Sequence, residues 1–372
     1  MMKPIVDLVA GARPNFMKLA PVVRAVREDA RLDARIVHTG QHYDEAMNDV
    51  FFAELGIPAP DFHLEVGSGS HGTQTARILE RYEAHLLKNR PDATVVFGDV
   101  NSTVACALAA VKLGVGVAHV EAGLRSFDRS MPEEINRLLT DAVADLLLVS
   151  EESGRTNLRR EGVPDEKVRL VGNVMIDTLL SQLAAARERK AAAHLGLPEH
   201  EYGLVTLHRP SNVDEPEALG RLVDLLGELA RRLPLVFPVH PRTRAAADRA
   251  GFGERLRGAR DGLMCVGPLP YLDTLSLLQG AAVVLTDSGG LQEESSVLGV
   301  PCLTLRENTE RPVTVALGTS RLVGNDPDRI RAAFQQVMGR DWPRGCEIPL
   351  WDGHAGQRVA TELAAWLTGR PS

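Results

Sequence analysis

The residues best suited to chemistry in this sequence stand just after short apolar runs. Gly11-Ala12-Arg13-Pro14 follows Ile5–Ala10, with Lys18 about a turn further on. Gly98-Asp99-Val100-Asn101-Ser102-Thr103 follows the run 94–97, and His119-Val120-Glu121 ends the run 117–120 with Arg125 close behind. Met131-Pro132-Glu133-Glu134 opens another amphipathic stretch that includes Arg137. His208 follows the run 203–207 and His240 follows 235–239. Asp287-Ser288-Gly289-Gly290 leads from a further run toward Glu294, and Thr309-Glu310-Arg311-Pro312 supplies a later cation.

Two kinds of chemistry use such residues. Carboxylates and histidines at strand ends serve proton transfer. Cations beside glycine turns at helix starts hold phosphate, because free backbone N–H groups and the helix dipole favour negative charge there. Arg13 and Lys18 suit one such start, and Ser288-Gly289-Gly290 suits another, with Glu294 placed for a ribose hydroxyl pair. Each group also has a plain structural use. Asp99, Asn101 or Ser102 can cap a helix. Glu121 and Arg125 can pair structurally, and Glu133 is welcome in any first helical turn. The turn after Ile5–Ala10 lacks the three-glycine dinucleotide signature, so it gives no support to a nicotinamide site.

The elements that position these residues alternate. Strand-like runs at 5–10, 35–38, 94–97, 117–120, 146–149 and 168–171 are separated by helical patterns such as 17–28, 73–88 and 102–112. The alternation restarts with 203–207, a helix at 216–232, 235–239, and 283–286 before a helix at 291–298. Such alternation implies mostly parallel sheets covered by helices on both faces. The expected fold is therefore α/β, two Rossmann-like doubly wound domains. The expected boundary falls at Gly172, giving an N-terminal domain 1–172 and a C-terminal domain 173–352. A helical stretch at 176–194 forms the connection, and 353–372 holds a last amphipathic helix at 356–368.

Length and composition agree. A chain of 372 residues exceeds one ordinary core, and two domains of about 150–200 residues are the default. Hydrophobic residues at 44% and charged residues at 24% can fill both cores. The net charge of −7, with acids and bases interleaved, argues against nucleic acid as a partner. Cys106, Cys265, Cys302 and Cys346 have no metal-binding spacing and suit packing. The sequence shows no signal peptide and no apolar run near the ~20 residues of a membrane span, so a soluble, cytoplasmic protein without membrane partners is expected.

Taken in order, these blocks resemble the non-hydrolysing UDP-N-acetylglucosamine 2-epimerases over nearly the whole chain. The matching blocks include His38-Thr39-Gly40-Gln41-His42-Tyr43-Asp44, 98–103, 119–126, 131–137, His208-Arg209 and 286–294. The resemblance implies the glycosyltransferase-B architecture, with an inter-domain cleft and a C-terminal helix crossing back to the N-terminal domain. It implies interconversion of UDP-GlcNAc and UDP-ManNAc by elimination of UDP to 2-acetamidoglucal and re-addition, with no nicotinamide or metal cofactor. Arg13, Lys18, Arg137, Ser288, Gly289, Gly290, Glu294 and Arg311 would bind the substrate. Asp99, Glu121, Glu133 and His208 would carry the proton transfers and the charge of departing UDP. A homodimer is the expected assembly.

Two positions depart from common family patterns. Where many bacterial members carry arginines for an activating second UDP-GlcNAc, this chain has Tyr43 and Pro210, which implies turnover without that activation. Asn15 stands where UDP-GlcNAc enzymes often have Glu, and where a group acting on a UDP-2,3-diacetamido uronic acid has Gln. That uronate 2-epimerase is the first alternative. A glycosyltransferase of the same architecture and a non-catalytic UDP-sugar binder are the others.

Overall fold

The computed structural model describes residues 3–40 and 52–369, except the Arg13 side chain. The chain divides into two compact units: Met1–Leu180 with Pro349–Ser372, and Ser181–Ile348.

In unit 1 the strands are β1 (Ile5–Ala10), β2 (Asp33–His38), β3 (Phe62–His63), β4 (Ala93–Phe97), β5 (Gly116–Ala122), β6 (Leu146–Val149) and β7 (Val168–Leu170). They form one sheet in the order β3-β2-β1-β4-β5-β6-β7, with every pair parallel. Its helices are α1 (Arg13–Glu28), α2 (His71–Lys88), α3 (Asn101–Lys112), α4 (Pro132–Val143), α5 (Glu152–Arg160) and the start of α6 (Val174–Arg189). Strands β4, β5 and β6 are buried throughout. That is why they read as unbroken apolar runs: helices cover both faces of a parallel sheet.

Unit 2 repeats the design with β8 (Gly203–Thr206), β9 (Leu235–Pro238), β10 (Gly258–Arg260), β11 (Leu263–Val266), β12 (Val283–Thr286), β13 (Cys302–Thr304) and β14 (Ser320–Leu322). The order is β10-β11-β9-β8-β12-β13-β14, and β10 alone runs antiparallel. Its helices are α7 (Ala191–His194), α8 (Pro210–Val213), α9 (Pro216–Ala230), α10 (Pro241–Arg249), α11 (Tyr271–Gln279), α12 (Gly289–Leu298), α13 (Pro312–Ala316) and α14 (Pro327–Met338). Leu222, Leu226, Phe237, Leu285, Ile330 and Phe334 anchor its core.

The last helix, α15 (Ala355–Thr368), belongs to unit 1 and packs on α1. The Asp177 carboxylate accepts from the Ala355 and Gly356 amides at 3.1 and 2.7 Å, closing the open start of α15. Gly356 lies against Pro21, where a Cβ would stand 2.7 Å from the Pro21 carbonyl oxygen.

Two details differ from the sequence expectation. The division between units falls within α6, at Leu180–Ser181, rather than at Gly172. Asp177 and Thr178 tie the start of that helix into unit 1, the latter by donating to the Met17 carbonyl at 2.5 Å. The stretch 176–194 is two helices because Lys190 adopts a left-handed φ of 48° between them. Among the described residues, no helix is long and apolar enough to cross a membrane.

In each sheet the strand order reverses once at a point of functional interest: between β1 and β4 in unit 1, and between β8 and β12 in unit 2. Doubly wound sheets hold ligands beyond the carboxyl ends of the strands at such points.

Candidate active site

At the unit 1 switch point the loops after β1 and β4 lie side by side. Gly11 approaches Thr39 and Ser102 so closely that no Cβ fits, and those two hydroxyls share a hydrogen bond of 2.8 Å. Helix α1 begins with Pro14 in its first turn, with no side-chain cap and no first-turn acid. Its leading amides are therefore suited to an anion. Asn15 is buried, donates from Nδ2 to the Phe97 carbonyl at 2.8 Å, and its Oδ1 has no partner among the described residues. Because a carbonyl only accepts, this bond fixes which way the amide points.

The Gly98-Asp99 turn carries the acids. Asp99 does not cap α3: Val100 stands at that helix start with no side-chain cap, and the Ser102 hydroxyl is held by Thr39. Instead the Asp99 carboxylate pairs with Arg137, which also donates to Glu134 from Nε at 2.9 Å. Glu134 accepts the Ser126 and Phe127 amides at 3.0 and 2.9 Å. Burial works to raise the Glu134 carboxyl, but those amides and Arg137 hold it below its ordinary value. Arg137 is almost wholly enclosed, while the Asp99 side chain keeps 26% of its surface exposed. Asp99 thus remains open to a ligand, backed by a fixed cation.

Glu121 sits beside it in an unusual backbone state. The β5–β6 register shifts between Val120 and Ala122, and Glu121 adopts φ 72° within that bulge. A left-handed non-glycine residue costs about 1–3 kcal/mol, and bulges of this kind re-aim side chains near functional sites. Here the buried carboxylate is turned onto the buried Lys18 ammonium, with which it forms an ion pair. Gly98 lies against that pair: a Cβ there would stand 2.5 Å from Lys18 Nζ and 3.1 Å from Glu121 Oε2. The Gly98 carbonyl in turn meets His119 Nε2 at 2.8 Å. His119 Nδ1 meets Asp141 at 2.6 Å, and Asp141 also pairs with Arg125 at 2.7 Å. Burial opposes ionisation of Asp141, but His119 and Arg125 hold its carboxyl below the ordinary range.

At the unit 2 switch point, Thr206 and Thr286 face each other across β8 and β12, with hydroxyls 2.6 Å apart. The next residues form a knot around Asp287, which is fully buried. It accepts the His208 amide at 3.0 Å, the Arg209 amide at 2.9 Å and Asn212 Nδ2 at 3.1 Å, and it meets His208 Nδ1 at 2.9 Å. Burial pushes its carboxyl upward, yet His208, Arg209 and Asn212 together hold it below the ordinary value.

Helix α12 starts just beyond. The Ser288 amide is taken by the Thr286 hydroxyl at 2.9 Å, and the Ser288 hydroxyl caps Leu291 at 3.5 Å. Open amides at this start therefore come from Gly289 and Gly290. Arg311 lies against Gly289, where a Cβ would be 3.2 Å from its guanidinium. Its charge is shared by Glu293 at 2.6 Å and Glu310 at 3.0 Å. Glu294 is buried and accepts from the Tyr271 hydroxyl at 3.0 Å. Burial pushes its carboxyl up to about 7, against the Tyr271 hydrogen bond and with help from nearby Glu293.

The structure therefore gathers Lys18, Asp99, Glu121 and Arg137 around one turn of unit 1. It gathers His208, Ser288, Gly289, Gly290, Glu294 and Arg311 around the switch point of unit 2. Glu133 is half-buried in the first turn of α4 and makes no ion pair among the described residues. His240 caps its own helix, accepting the Arg242 amide at 3.1 Å. Arg13 opens α1 through its backbone. Gln41, His42, Tyr43 and Asp44 lie outside the described residues. The sequence reading assigns no role to Glu134, Asp141, Tyr271 or Asp287. The signal for Asp287 was present, since it ends a strand as His208 nearly does, but only the sheet order makes those strands neighbours.

Two doubly wound domains, one with acids paired to cations and one with a glycine-led helix start beside arginine and histidine, define a nucleotide-sugar enzyme of the glycosyltransferase-B-like class. The UDP-N-acetylglucosamine 2-epimerase family profile matches residues 24–364. A UDP-N-acetylglucosamine 2-epimerase of Methanocaldococcus jannaschii is 41% identical over 96% of this chain and 98% of its own. A UDP-2,3-diacetamido-2,3-dideoxy-D-glucuronate 2-epimerase of Pseudomonas aeruginosa is 40% identical over 96% and 98%. The crystal structure of the M. jannaschii enzyme in complex with UDP-GlcNAc and UDP superposes with a TM-score of 0.89, covering 96% of this chain and 99% of that one. The chain belongs to the UDP-N-acetylglucosamine 2-epimerase family and is an enzyme of the isomerase class.

Proposed function

We propose that this enzyme interconverts UDP-GlcNAc and UDP-ManNAc. Inversion at carbon 2 without a redox cofactor needs a base for that proton, stabilisation of departing UDP, and an acid that returns a proton to the other face. Asp99 and Glu121, each beside a fixed cation, together with Glu133, suit the proton transfers. His208 and the Gly289 and Gly290 amides suit the diphosphate, with Arg311 beside them and Glu294 at the ribose.

The observation that carries the choice of sugar is Asn15. One Nδ2 hydrogen goes to the Phe97 carbonyl, and Oδ1 has no partner among the described residues, so the amide offers a free acceptor, as a glutamate would. A buried acceptor suits a hydroxyl or amide N–H of an N-acetylhexosamine and disfavours a uronate carboxylate. Lys18, Arg125 and Arg137 each already face a carboxylate, which points the same way. The test is NMR of the purified enzyme with each UDP-sugar and no acceptor. Epimerisation of UDP-GlcNAc at least tenfold faster than of the diacetamido uronate is expected. The reverse preference would overturn the sugar assignment, and release of free sugar with UDP would overturn the non-hydrolysing route.

A further inference from the structure

We propose that Asp287 is a positioning residue that holds His208 with its ring proton on Nδ1, so that Nε2 is the atom His208 presents for chemistry. The use of that Nε2 on departing UDP rests on the epimerase reading; the tautomer does not.

The geometry leaves Asp287 little else to do. It is fully enclosed, and among the described residues its carboxylate is met by donors of the segment 208–212 that carries His208. An ionised carboxylate accepts and never donates, so a neutral imidazole 2.9 Å away must offer it Nδ1–H. The two backbone bonds, from His208 and Arg209, fix the main chain on either side of the ring's attachment. Asn212 locks the arrangement a second time, since Nδ2 also donates to the Leu305 carbonyl at 2.9 Å. The His208 side chain is 37% exposed, so the ring is anchored at Nδ1 without being enclosed.

The same residue sets the neighbouring anion site. Asp287 directly precedes Ser288, whose amide is tied to Thr286, and the open Gly289 and Gly290 amides follow at once. One carboxylate therefore fixes both the orientation of the histidine and the strand end from which the glycine-led helix departs. Nε2 of a ring held this way can accept a proton and, once protonated, donate a hydrogen bond to a phosphate oxygen while Nδ1 stays on Asp287. With the opposite tautomer, Nε2–H could not take up a proton.

The full-length enzyme, labelled with ¹⁵N-histidine and without ligand, tests this directly, with His208→Gln assigning the ring signals. In the neutral ring of His208 the expected result is a protonated Nδ1 and an unprotonated Nε2. In Asp287→Asn the new amide can donate to Nδ1, so the proton should move to Nε2. Turnover should fall by about 10–100-fold, with the substrate KM changed less than about threefold. A protonated Nε2 in the neutral wild-type ring, or an unchanged tautomer in a folded Asp287→Asn, would overturn the proposal. If Asp287→Asn does not fold, the wild-type tautomer still decides it. The expected tautomer in a wild-type enzyme that fails to epimerise UDP-GlcNAc would support the positioning role and sink the functional reading alone.

Discussion

In the proposed ribose site, Glu294 would be a binding group held in an unfavourable state until its ligand arrives. Its carboxyl is pushed to about 7 by burial, against an ordinary value of 4.5. Between those values the folded chain holds a proton that the unfolded chain has lost, so stability falls as pH rises through the window and levels off above it. The penalty above pH 7 is about 3 kcal/mol. Glu294→Gln should therefore be more stable than wild type in urea at pH 8 and nearly equal to it at pH 4.5; a gap that does not grow with pH would contradict this. The same variant should bind UDP about tenfold more weakly by calorimetry, because a charged acceptor for ribose is gone. Of the catalytic candidates, Asp99→Asn, Glu121→Gln and Glu133→Gln should each lower turnover by about 10²-fold while UDP affinity changes far less. Near-normal rates in all three would leave those acids structural. At this scale the sequence was partly legible. Strand-end position singled out Asp99, Glu121 and His208, but the partners that fix them come from distant segments. Arg137 reaches Asp99, Lys18 reaches Glu121, and Asp287 reaches His208.

Elements explain why those partners meet. Buried parallel strands advertise themselves as apolar runs, so β1, β4, β5, β6, β8, β9 and β12 could be read to within a few residues. Short strands such as β3, β10, β13 and β14 lack enough length to show a pattern, and β10 is exposed along its whole length. The bulge at Glu121 was invisible too, because nothing in a Val-Glu-Ala triplet announces a left-handed φ. Gly98 gives that local architecture a test. It has φ 61°, and a methyl group there would press on Lys18 and Glu121. Gly98→Ala should destabilise the protein by about 1–3 kcal/mol and should lower turnover more than tenfold even at temperatures where it is fully folded. Circular dichroism melting alongside initial rates separates the two effects. Full activity in the folded variant would mean that the turn tolerates displacement of the ion pair.

For the whole molecule, the alternation of runs and amphipathic stretches was enough to indicate two doubly wound sheets, because that pattern has few other solutions. What it could not show is that unit 1 is discontinuous in sequence. Its α1 is covered by α15, whose start is held by Asp177. A fragment 1–180 should consequently be protease-sensitive and bind a hydrophobic dye, and adding 349–372 through a flexible linker should restore protection. Equal protection of the short fragment would show that α15 is dispensable to unit 1. Catalysis makes the most direct demand on the account. Elimination and re-addition requires that carbon 2 lose its proton and regain one from a group in exchange with solvent. Run in deuterated water and followed by NMR, the wild-type enzyme should convert UDP-GlcNAc to UDP-ManNAc carrying deuterium at carbon 2. UDP-ManNAc formed with its original carbon-2 hydrogen fully retained would contradict the mechanism and, with it, the roles given to Asp99, Glu121 and Glu133.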